Sequence, residues 1–414
     1  MEKQPSASAI IKNTFLALRY PNYRLWYFGQ IISLLGTWMQ STAQGYLVYE
    51  LTESKALLGM VSLAVGIPQW VLMLFAGVLA ERVSRKRLII FTQVWLMLLA
   101  FVLSVLTFLQ IVAPWHIIVL AVCTGVGSAI STPARHAFVS DLVDDSAITN
   151  AISLNSTMFN IGTFIGPAIG GVVYAAVGPG WCFAINGISF IAVIIALLLM
   201  SILPKIQIEV DKKKHWFHDF AEGLRYVASH QRIRTIIIMT GIFSFFGFSI
   251  ITMFPAWAKD VLRGDAATFG FLQSSRGFGA LMSAVFLAFT AQFRIRGRLV
   301  TIGLFGIPVT MIVLSFVTIP LLAFGIIFVF GIMILFVFNS ANAIVQSLVN
   351  DAFRGRVMSV YMMIFLGSHP LGALTSGILA DTFGLEHTMF LYGGILAAAA
   401  LFLLIAVPLV RKMR

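Results

Sequence analysis

Charged residues are scarce in this chain of 414 residues. Asp, Glu, Lys and Arg together make up 11% of the sequence, whereas hydrophobic residues make up 59% and the mean hydropathy is +0.95. A soluble domain has about 25% charged residues, so this composition excludes a soluble protein of this length. It predicts a protein that crosses a membrane many times.

Cysteines and catalytic motifs are also nearly absent. The two cysteines, Cys123 and Cys182, lie in apolar segments and offer neither a disulfide framework nor a zinc-binding spacing. The sequence contains no H-E-x-x-H, no G-x-S-x-G and no Walker motif. We therefore expect no enzyme activity, no cofactor and no metal site.

Acidic residues number 16 against 28 basic ones, which gives a formal net charge of +12. In a soluble protein this excess would suggest a nucleic-acid partner, but here the basic residues form short clusters between apolar segments. If the amino terminus is cytoplasmic, 24 of the 28 Lys and Arg residues lie on the cytoplasmic side. The positive-inside rule then places both termini in the cytoplasm, and no nucleic acid is expected.

Twelve apolar segments follow one another along the chain, each long enough to cross a hydrocarbon core as a helix. The predicted spans are 24–48, 56–80, 88–111, 114–137, 147–177, 181–203, 234–258, 268–291, 299–317, 320–346, 356–380 and 388–410.

The connector at 204–233 divides the chain into an amino-terminal half, 1–203, and a carboxy-terminal half, 234–414. Apolar residues of this connector recur on one helical face, and a Lys cluster at 212–214 precedes them. This pattern predicts an amphipathic helix at the cytoplasmic membrane surface, within a linker between the halves.

The second half repeats the first. A shift of 206 residues places Leu142, Val143, Asp145, Phe159, Gly166, Gly171 and Gly178 on Leu348, Val349, Asp351, Phe365, Gly372, Gly377 and Gly384. A shift of 211 residues does the same for Gly59, Gly66, Arg85, Arg87 and Leu88, which fall on Gly270, Gly277, Arg296, Arg298 and Leu299. In a membrane protein, repeated halves indicate a transporter with its substrate site near the midplane, between the halves.

The loop after the second span, from Gly77 to Arg87, resembles the signature loop of the major facilitator superfamily, G-x-L-A-D-R-x-G-R-K. Glu81 replaces the Asp and Ser84 replaces the second Gly. The resemblance implies an all-α integral membrane fold with twelve transmembrane helices in two pseudo-symmetric six-helix bundles. It also implies that this loop braces the cytoplasmic side of the outward-facing state, a role that falls on Gly77, Glu81, Arg82, Arg85 and Lys86.

The fifth span contains Gly162, Gly166, Pro167, Gly170 and Gly171 in the spacing G-x-x-x-G-P-x-x-G-G. Glycines at this spacing line one helical face and allow close approach of another helix. The pattern matches the antiporter motif of the superfamily at every defined position. This resemblance implies export rather than import.

The stretch from Pro133 to Asn155 resembles the enterobactin-exporter and macrolide-efflux branch of the superfamily. That branch implies a bacterial inner-membrane protein that exports a siderophore or a drug-like molecule, driven by protons and acting as a monomer. The Arg that many drug–proton antiporters place in the fourth span is Ala121 here. Two alternatives stay open, a lipid flippase of the same fold and a membrane scaffold that transports nothing.

The spans contain few candidate site residues. Arg276 and His369 lie deep in two spans, and a charged Arg at that depth is costly unless it faces the bundle interior or a wet cavity. The alternatives are an Arg that is satisfied by backbone carbonyls or snorkels outward, and a packed, neutral histidine. The two residues favour an anionic or electron-rich substrate. No acid lies near the middle of a span, so Glu50 and Asp141 at span ends are the candidates for proton coupling. The remaining candidate substrate contacts are Gln40, Gln44, Trp38, Asn155, Phe159 and Asn339.

Overall fold

The chain is helical throughout the part that the computed structural model describes, which comprises residues 15–201, 216–290 and 295–406 without the side chains of 73–82, 216–218 and 406. Thirteen helices follow one another in these ranges: α1 Pro21–Thr52, α2 Lys55–Arg82, α3 Arg85–Phe108, α4 Pro114–Val139, α5 Ile148–Val177, α6 Pro179–Leu199, α7 Trp216–Ser229, α8 Gln231–Val261, α9 Ala266–Phe289, α10 Arg296–Leu314, α11 Pro320–Leu348, α12 Arg354–Phe383 and α13 Leu385–Ala406.

The helices match the twelve predicted spans to within about one turn, and α7 is the extra, shorter one. Ten of the described helices are long and apolar enough to cross a membrane by length and composition alone. The other two long helices, α1 and α9, pack inside the same bundles, where α1 contacts α5 and α6 and α9 contacts α5 and α11. Both bury polar side chains, Gln30 on α1 and Arg276 on α9, which lower their hydropathy.

We name the two ends of the bundle after the predicted orientation. The outer face holds the turns at 53–54 and 262–265, and the inner face holds Ser84 and the turn at 140–147.

The predicted repeat is visible in the backbone. The helices α5 and α12 are both 30 residues long, and each follows a three-residue 3₁₀ helix that begins at Asp145 or Asp351. Each ends at a glycine with positive φ, +91° at Gly178 and +89° at Gly384. A residue with a side chain rarely adopts this conformation, so both glycines are needed to end the helix. The equivalent residues therefore have the same structural role in the two halves.

The same repeat builds the contact between the halves. In one crossing α2 packs on α12, and in the other α5 packs on α9. At glycines of both crossings an added Cβ would overlap the facing helix, so these helices approach closely only because the side chain is missing. The glycines are Gly59, Gly66 and Gly377 in the first crossing, and Gly171, Gly270 and Gly277 in the second.

Helix α8 departs from the regular span that its hydropathy predicts. It contains two π-helical turns, Ser244–Phe248 and Trp257–Val261, and a 3₁₀ segment between them, Ser249–Met253. Pro255 lies in this region and cannot donate a backbone hydrogen bond. Such π turns frequently occur at functional sites, and the first one places Phe248 beside His369.

The predicted amphipathic helix of the connector is α7, and the second half binds its polar side. Arg356 at the start of α12 forms ion pairs with Asp219 at 2.9 Å and Glu222 at 2.7 Å. Tyr226 stacks on Phe353 with 4.8 Å between ring centroids. The helix therefore docks on protein, and surface binding alone does not describe it. The Lys cluster at 212–214 lies outside the described residues, and the domain limits stay a prediction.

Candidate functional site

Arg276 lies near the middle of α9 with 9% of its surface exposed. Its Nε donates to Gln273 Oε1 at 3.0 Å, and within the described ranges no carboxylate pairs with it. A buried guanidinium without a counter-charge is destabilising by several kcal/mol or more.

His369 lies near the middle of α12 and packs against aromatic rings of the same half. Its ring centroid is 5.0 Å from that of Phe248, and Phe248 in turn contacts Phe338 and Phe365. The two deep residues predicted from the sequence thus lie near the middle of two helices of the second half, Arg276 on α9 and His369 on α12.

Trp38 and Phe159, predicted as substrate contacts, touch each other in the first half. Their ring centroids are 5.7 Å apart at 74°, and 52% of the Phe159 surface is exposed. Trp38 packs over Gly162 and Gly166 of the antiporter-type motif. The glycines of the motif thereby leave room for this aromatic pair at mid-depth in the first half, whereas Arg276 lies in the second half.

The five residues of this motif contact two different helices. Gly162, Gly166 and Gly170 face α1, whereas Gly171 and the Pro167 carbonyl face α9 of the other half. The motif thus joins the packing of the first half to the crossing between the halves. Its assigned role in direction of transport stays a prediction.

The four predicted amides do not form one cluster. The Gln40 side chain accepts a hydrogen bond from Asn186 Nδ2 at 2.6 Å, so it connects α1 to α6. Gln44 and Asn155 are partly buried at different depths. Asn339 lies toward the inner face, where it lines a cavity of about 430 Å³ together with Arg296 and Asn342. Asn339 is therefore remote from the midplane to which the sequence assigned it.

Two residues of the signature loop are bound within the first half. Arg85 Nη1 donates to both carboxylate oxygens of Asp141 at 2.9 Å, and Lys86 Nζ donates to the Met200 carbonyl at 2.9 Å. In this conformation neither residue bridges the halves. The side chains of Glu81 and Arg82 and the surroundings of Gly77 are not described, so the bracing role of these three residues stays a prediction.

The outer face carries polar bonds between the halves that the sequence did not indicate. Asp381 at the end of α12 binds the start of α2, and Tyr49 donates its hydroxyl hydrogen to Asp260. Lys259 pairs with Glu53 at 3.1 Å. These partners are far apart in sequence, so only the fold brings them together. The coupling candidate Glu50 is nearby and accepts a hydrogen bond from Tyr174 of its own half.

The inner face differs from the outer face. Between pairs of described residues, no hydrogen bond, ion pair or ring contact joins the two halves at that end. The inter-half contacts of the crossings reach inward as far as Trp70 with Gly367 and Thr163 with Gly277. The described conformation is therefore closed at the outer face.

Arg135 on α4 is a second cation that the sequence predictions did not assign to the site. It shares a helix face with Thr124, Ser128 and Ser131, while Val119 and Val122 on the opposite face are exposed as lipid-facing residues are. No described residue forms a hydrogen bond or ion pair with Arg135. Helical spacing places this residue on the polar, interior side of α4, toward the inner face.

The model of the family described as transmembrane secretion effector matches residues 12–413 of the chain. The chain belongs to this family of the major facilitator superfamily. It is a transporter of the multi-pass bacterial type, and not an enzyme.

Three curated relatives align over most of the chain. They are the staphyloferrin A transporter of Staphylococcus aureus (27% identity, 89% of this chain, 92% of the relative), macrolide efflux protein A of Streptococcus pyogenes (23%, 96%, 98%) and the enterobactin exporter EntS of Shigella flexneri (22%, 96%, 95%). The predicted resemblance to the enterobactin-exporter and macrolide-efflux branch is thereby confirmed.

Solved structures share the fold. A bacterial homolog of the human lysosomal transporter Spinster, in an inward-facing and unoccupied conformation, has a TM-score of 0.75 at 15% identity and covers 96% of this chain and 98% of its own. A mutant form of the peptide transporter POT has a TM-score of 0.75 at 14% identity over 94% of this chain and 95% of its own. The predicted twelve-helix major facilitator fold is confirmed.

Proposed function

We propose that this protein exports a bulky organic anion from the cytoplasm, with a siderophore as the favoured class and an electron-rich drug-like molecule as the second. The observation that carries this proposal is Arg276, which is buried at mid-depth and has no carboxylate partner in the described part of the chain. A cationic substrate would add a second positive charge beside it, whereas an anion supplies the counter-charge that the fold omits.

The surroundings of Arg276 support a large ligand. Exposed Phe159 and its neighbour Trp38 offer aromatic surface from the first half, and the rings around His369 offer it from the second. Transport sites for bulky compounds combine apolar walls with few fixed polar groups. Arg135 adds positive charge closer to the inner face, so an anion that enters there would meet Arg135 before Arg276.

Alternating access is the mechanism that fits a bundle closed at one end. The outer face is held by inter-half bonds, and the close contacts of the two crossings reach inward as far as Trp70 with Gly367 and Thr163 with Gly277. We infer that this conformation takes up substrate from the cytoplasm and that a second conformation, closed at the inner face, releases it outside. The antiporter-type motif of α5 and the export relatives support this direction.

Proton antiport would supply the energy, with Glu50 and Asp141 as the carriers to be tested. Each carboxylate is bound at one face of the first half, Glu50 by Tyr174 and Asp141 by Arg85. Protonation of either carboxylate would weaken its bond, which is the property that a coupling group needs. Glu50→Gln and Asp141→Asn should each be compared with the wild type for stimulation by a pH gradient.

The decisive experiment is uptake into inside-out vesicles, with and without a pH gradient. The panel comprises staphyloferrin A, enterobactin, a macrolide, a cationic dye and a lysophospholipid. We expect uptake of an anionic siderophore that an uncoupler abolishes. Arg276→Gln should reduce this uptake about tenfold or more, because the loss of one buried charge-assisted contact corresponds to roughly 1.5–3 kcal/mol.

Arg298→Gln is the matched control, since Arg298 is exposed at the start of α10 and its loss changes the net charge equally. Arg276→Lys should retain part of the activity. Uptake of the cationic dye alone, undiminished in Arg276→Gln, would contradict the anion proposal. Uptake of the lysophospholipid in preference to the siderophores would favour the flippase alternative, and uptake that survives an uncoupler would exclude proton antiport.

A further inference from the structure

The first turn of α2 is capped by the other half of the protein. The carboxylate of Asp381, the third residue from the end of α12, accepts hydrogen bonds from Lys55 N at 2.8 Å, Ala56 N at 2.9 Å and Ser54 Oγ at 2.9 Å. The first amides of a helix have no partner within the helix, and a carboxylate there also interacts favourably with the helix dipole. Asp381 meets both needs from a position 325 to 327 residues away.

The equivalent helix of the second half is capped differently. Asp265 precedes α9 and accepts from Thr268 N at 2.9 Å, while Asp265 N donates to Thr268 Oγ1 at 3.3 Å. This capping box lies within a single helix end and needs nothing from the first half. The repeat shift of 206 residues places Ala175 where Asp381 stands in the second half. The start of α9 is therefore capped by a residue of its own half, whereas the start of α2 is capped by Asp381 of the other half.

Other polar contacts join the halves at this place. Tyr49 donates its hydroxyl hydrogen to Asp260, Lys55 Nζ lies 3.2 Å from Asp260 Oδ2, and Lys259 pairs with Glu53. The side chains of the two ion pairs are partly or largely exposed, and Asp381 is exposed as well. Exposed ion pairs contribute roughly 0–1 kcal/mol each. Lys55 would by itself disfavour a helix start, because it places positive charge at the positive end of the dipole. The carboxylates of the second half offset this charge.

We propose that Asp381 is a gating residue, whose bonds to the start of α2 hold the outer face closed and must break whenever that face opens. This gating role rests on the proposed alternation between two conformations. It adds to that alternation a named group, Asp381, whose bonds are made in one conformation and lost in the other. Opening at the α2–α12 crossing leaves the first amides of α2 without the Asp381 carboxylate, so this cap stabilises the closed outer face. Helix α9 has its own cap and keeps it in either conformation.

The test measures the distance between spin labels at Leu109 and Ile319, which are exposed at the outer face of the two halves. The labels are placed in a variant without Cys123 and Cys182, in lipid nanodiscs and without substrate. Asp381→Ala, which retains no acceptor, should raise the ratio of open to closed outer face about fivefold, as expected from the loss of one helix cap. Asp381→Asn retains one acceptor oxygen and loses the charge, so it should raise the ratio by less.

Asp265→Ala is the matched control, because it removes a helix cap at the same face by the same chemical change as Asp381→Ala. It should lower thermal stability and leave the distance distribution unchanged. An unchanged distribution in both Asp381 variants would overturn the proposal. A shift in Asp265→Ala equal to that in Asp381→Ala would also overturn it, because any weakened helix end would then open the face.

The distances require no substrate, so their outcome is separate from that of the vesicle experiment. A shift in Asp381→Asn together with failure of every anion in the panel would retain the gate and refute the proposed cargo. Uptake of a siderophore with no shift in either Asp381 variant would support the proposed cargo and refute the gate.

Discussion

The two crossings between the halves are built from the same repeat but differ in their polar contacts. At both, glycines allow the helices to approach closely, as at Gly59 and Gly377 in the α2–α12 crossing and at Gly171 and Gly270 in the α5–α9 crossing. Among the described residues, a cap between the halves is seen at the first crossing. The second crossing has a ring contact, Phe164 with Phe278 at 5.0 Å, and Tyr46 of neighbouring α1 contacts Phe269 of α9 at 6.4 Å.

This difference matters because apolar contact has less value inside a membrane than in water. Lipid tails are as apolar as the side chains they replace, so the separation of two apolar helices has little hydrophobic cost. Close packing at the glycines and the few polar bonds at the ends then decide which conformation is favoured. If the two crossings pack equally well but only one has a cap between the halves, the loss of that one polar group is enough to favour opening of the outer face.

The largest predicted effect removes the feature that the crossings share. Gly59→Val and Gly270→Val should each destabilise the closed outer face by about 1–3 kcal/mol or more, because the added atoms overlap the facing backbone. The outer-face label distance and the thermal stability report the effect. Gly394→Val is the control, since nothing lies within 4 Å of a Cβ at Gly394. Tolerance of valine at one crossing but not at the other would show that the packing is unequal.

A smaller effect separates bonds between halves from bonds within one half. Tyr49→Phe removes the hydroxyl that binds Asp260 across the interface, and Tyr174→Phe removes the hydroxyl that binds Glu50 within the first half. We expect about 1 kcal/mol of weaker outer closure for Tyr49→Phe, the usual net value of a hydrogen bond. Tyr174→Phe should leave the label distances unchanged. The comparison fails if the two variants shift the distances equally.

The smallest effect is expected from an attempt to make the crossings alike. Ala175→Asp places a carboxylate at the position equivalent to Asp381, facing a helix that already has its own cap. It should change outer closure by a few tenths of a kcal/mol or less in the wild type. Combined with Asp265→Ala, it should restore part of the lost thermal stability, because α9 then lacks its own cap. No restoration would mean that the two positions are not equivalent in space.

The fold was predictable because it depends on signals that are local or repeated. The spans follow from hydropathy, and the equivalence of Gly178 and Gly384 follows from the shift of 206 residues. The irregular turns of α8 were not predictable, because hydropathy does not distinguish a π turn from an α turn. The site was predictable only in part. Arg276 and His369 stand out as polar residues in apolar spans. The contact between Trp38 and Phe159 was not predicted, because the sequence indicates each ring only as a candidate substrate contact.

The remaining features depend on partners that are distant along the chain. Gln40 was predicted as a substrate contact, and the structure shows it bound to Asn186 of α6. The role of Asp381 was not predictable, because nothing in its own segment indicates that the amides it binds lie in the other half. Arg135 was not assigned to the site, because its position relative to other polar residues follows only from helix packing.

The central claim is that one bundle alternates between a closed outer face and a closed inner face. Two label pairs test it directly in the same preparation, Leu109 with Ile319 at the outer face and Ser84 with Arg298 at the inner face. The account predicts that an exported substrate and a pH gradient lengthen the outer distance and shorten the inner one in the same fraction of molecules. Vesicles that transport substrate while both distances stay as they are in its absence would contradict the account.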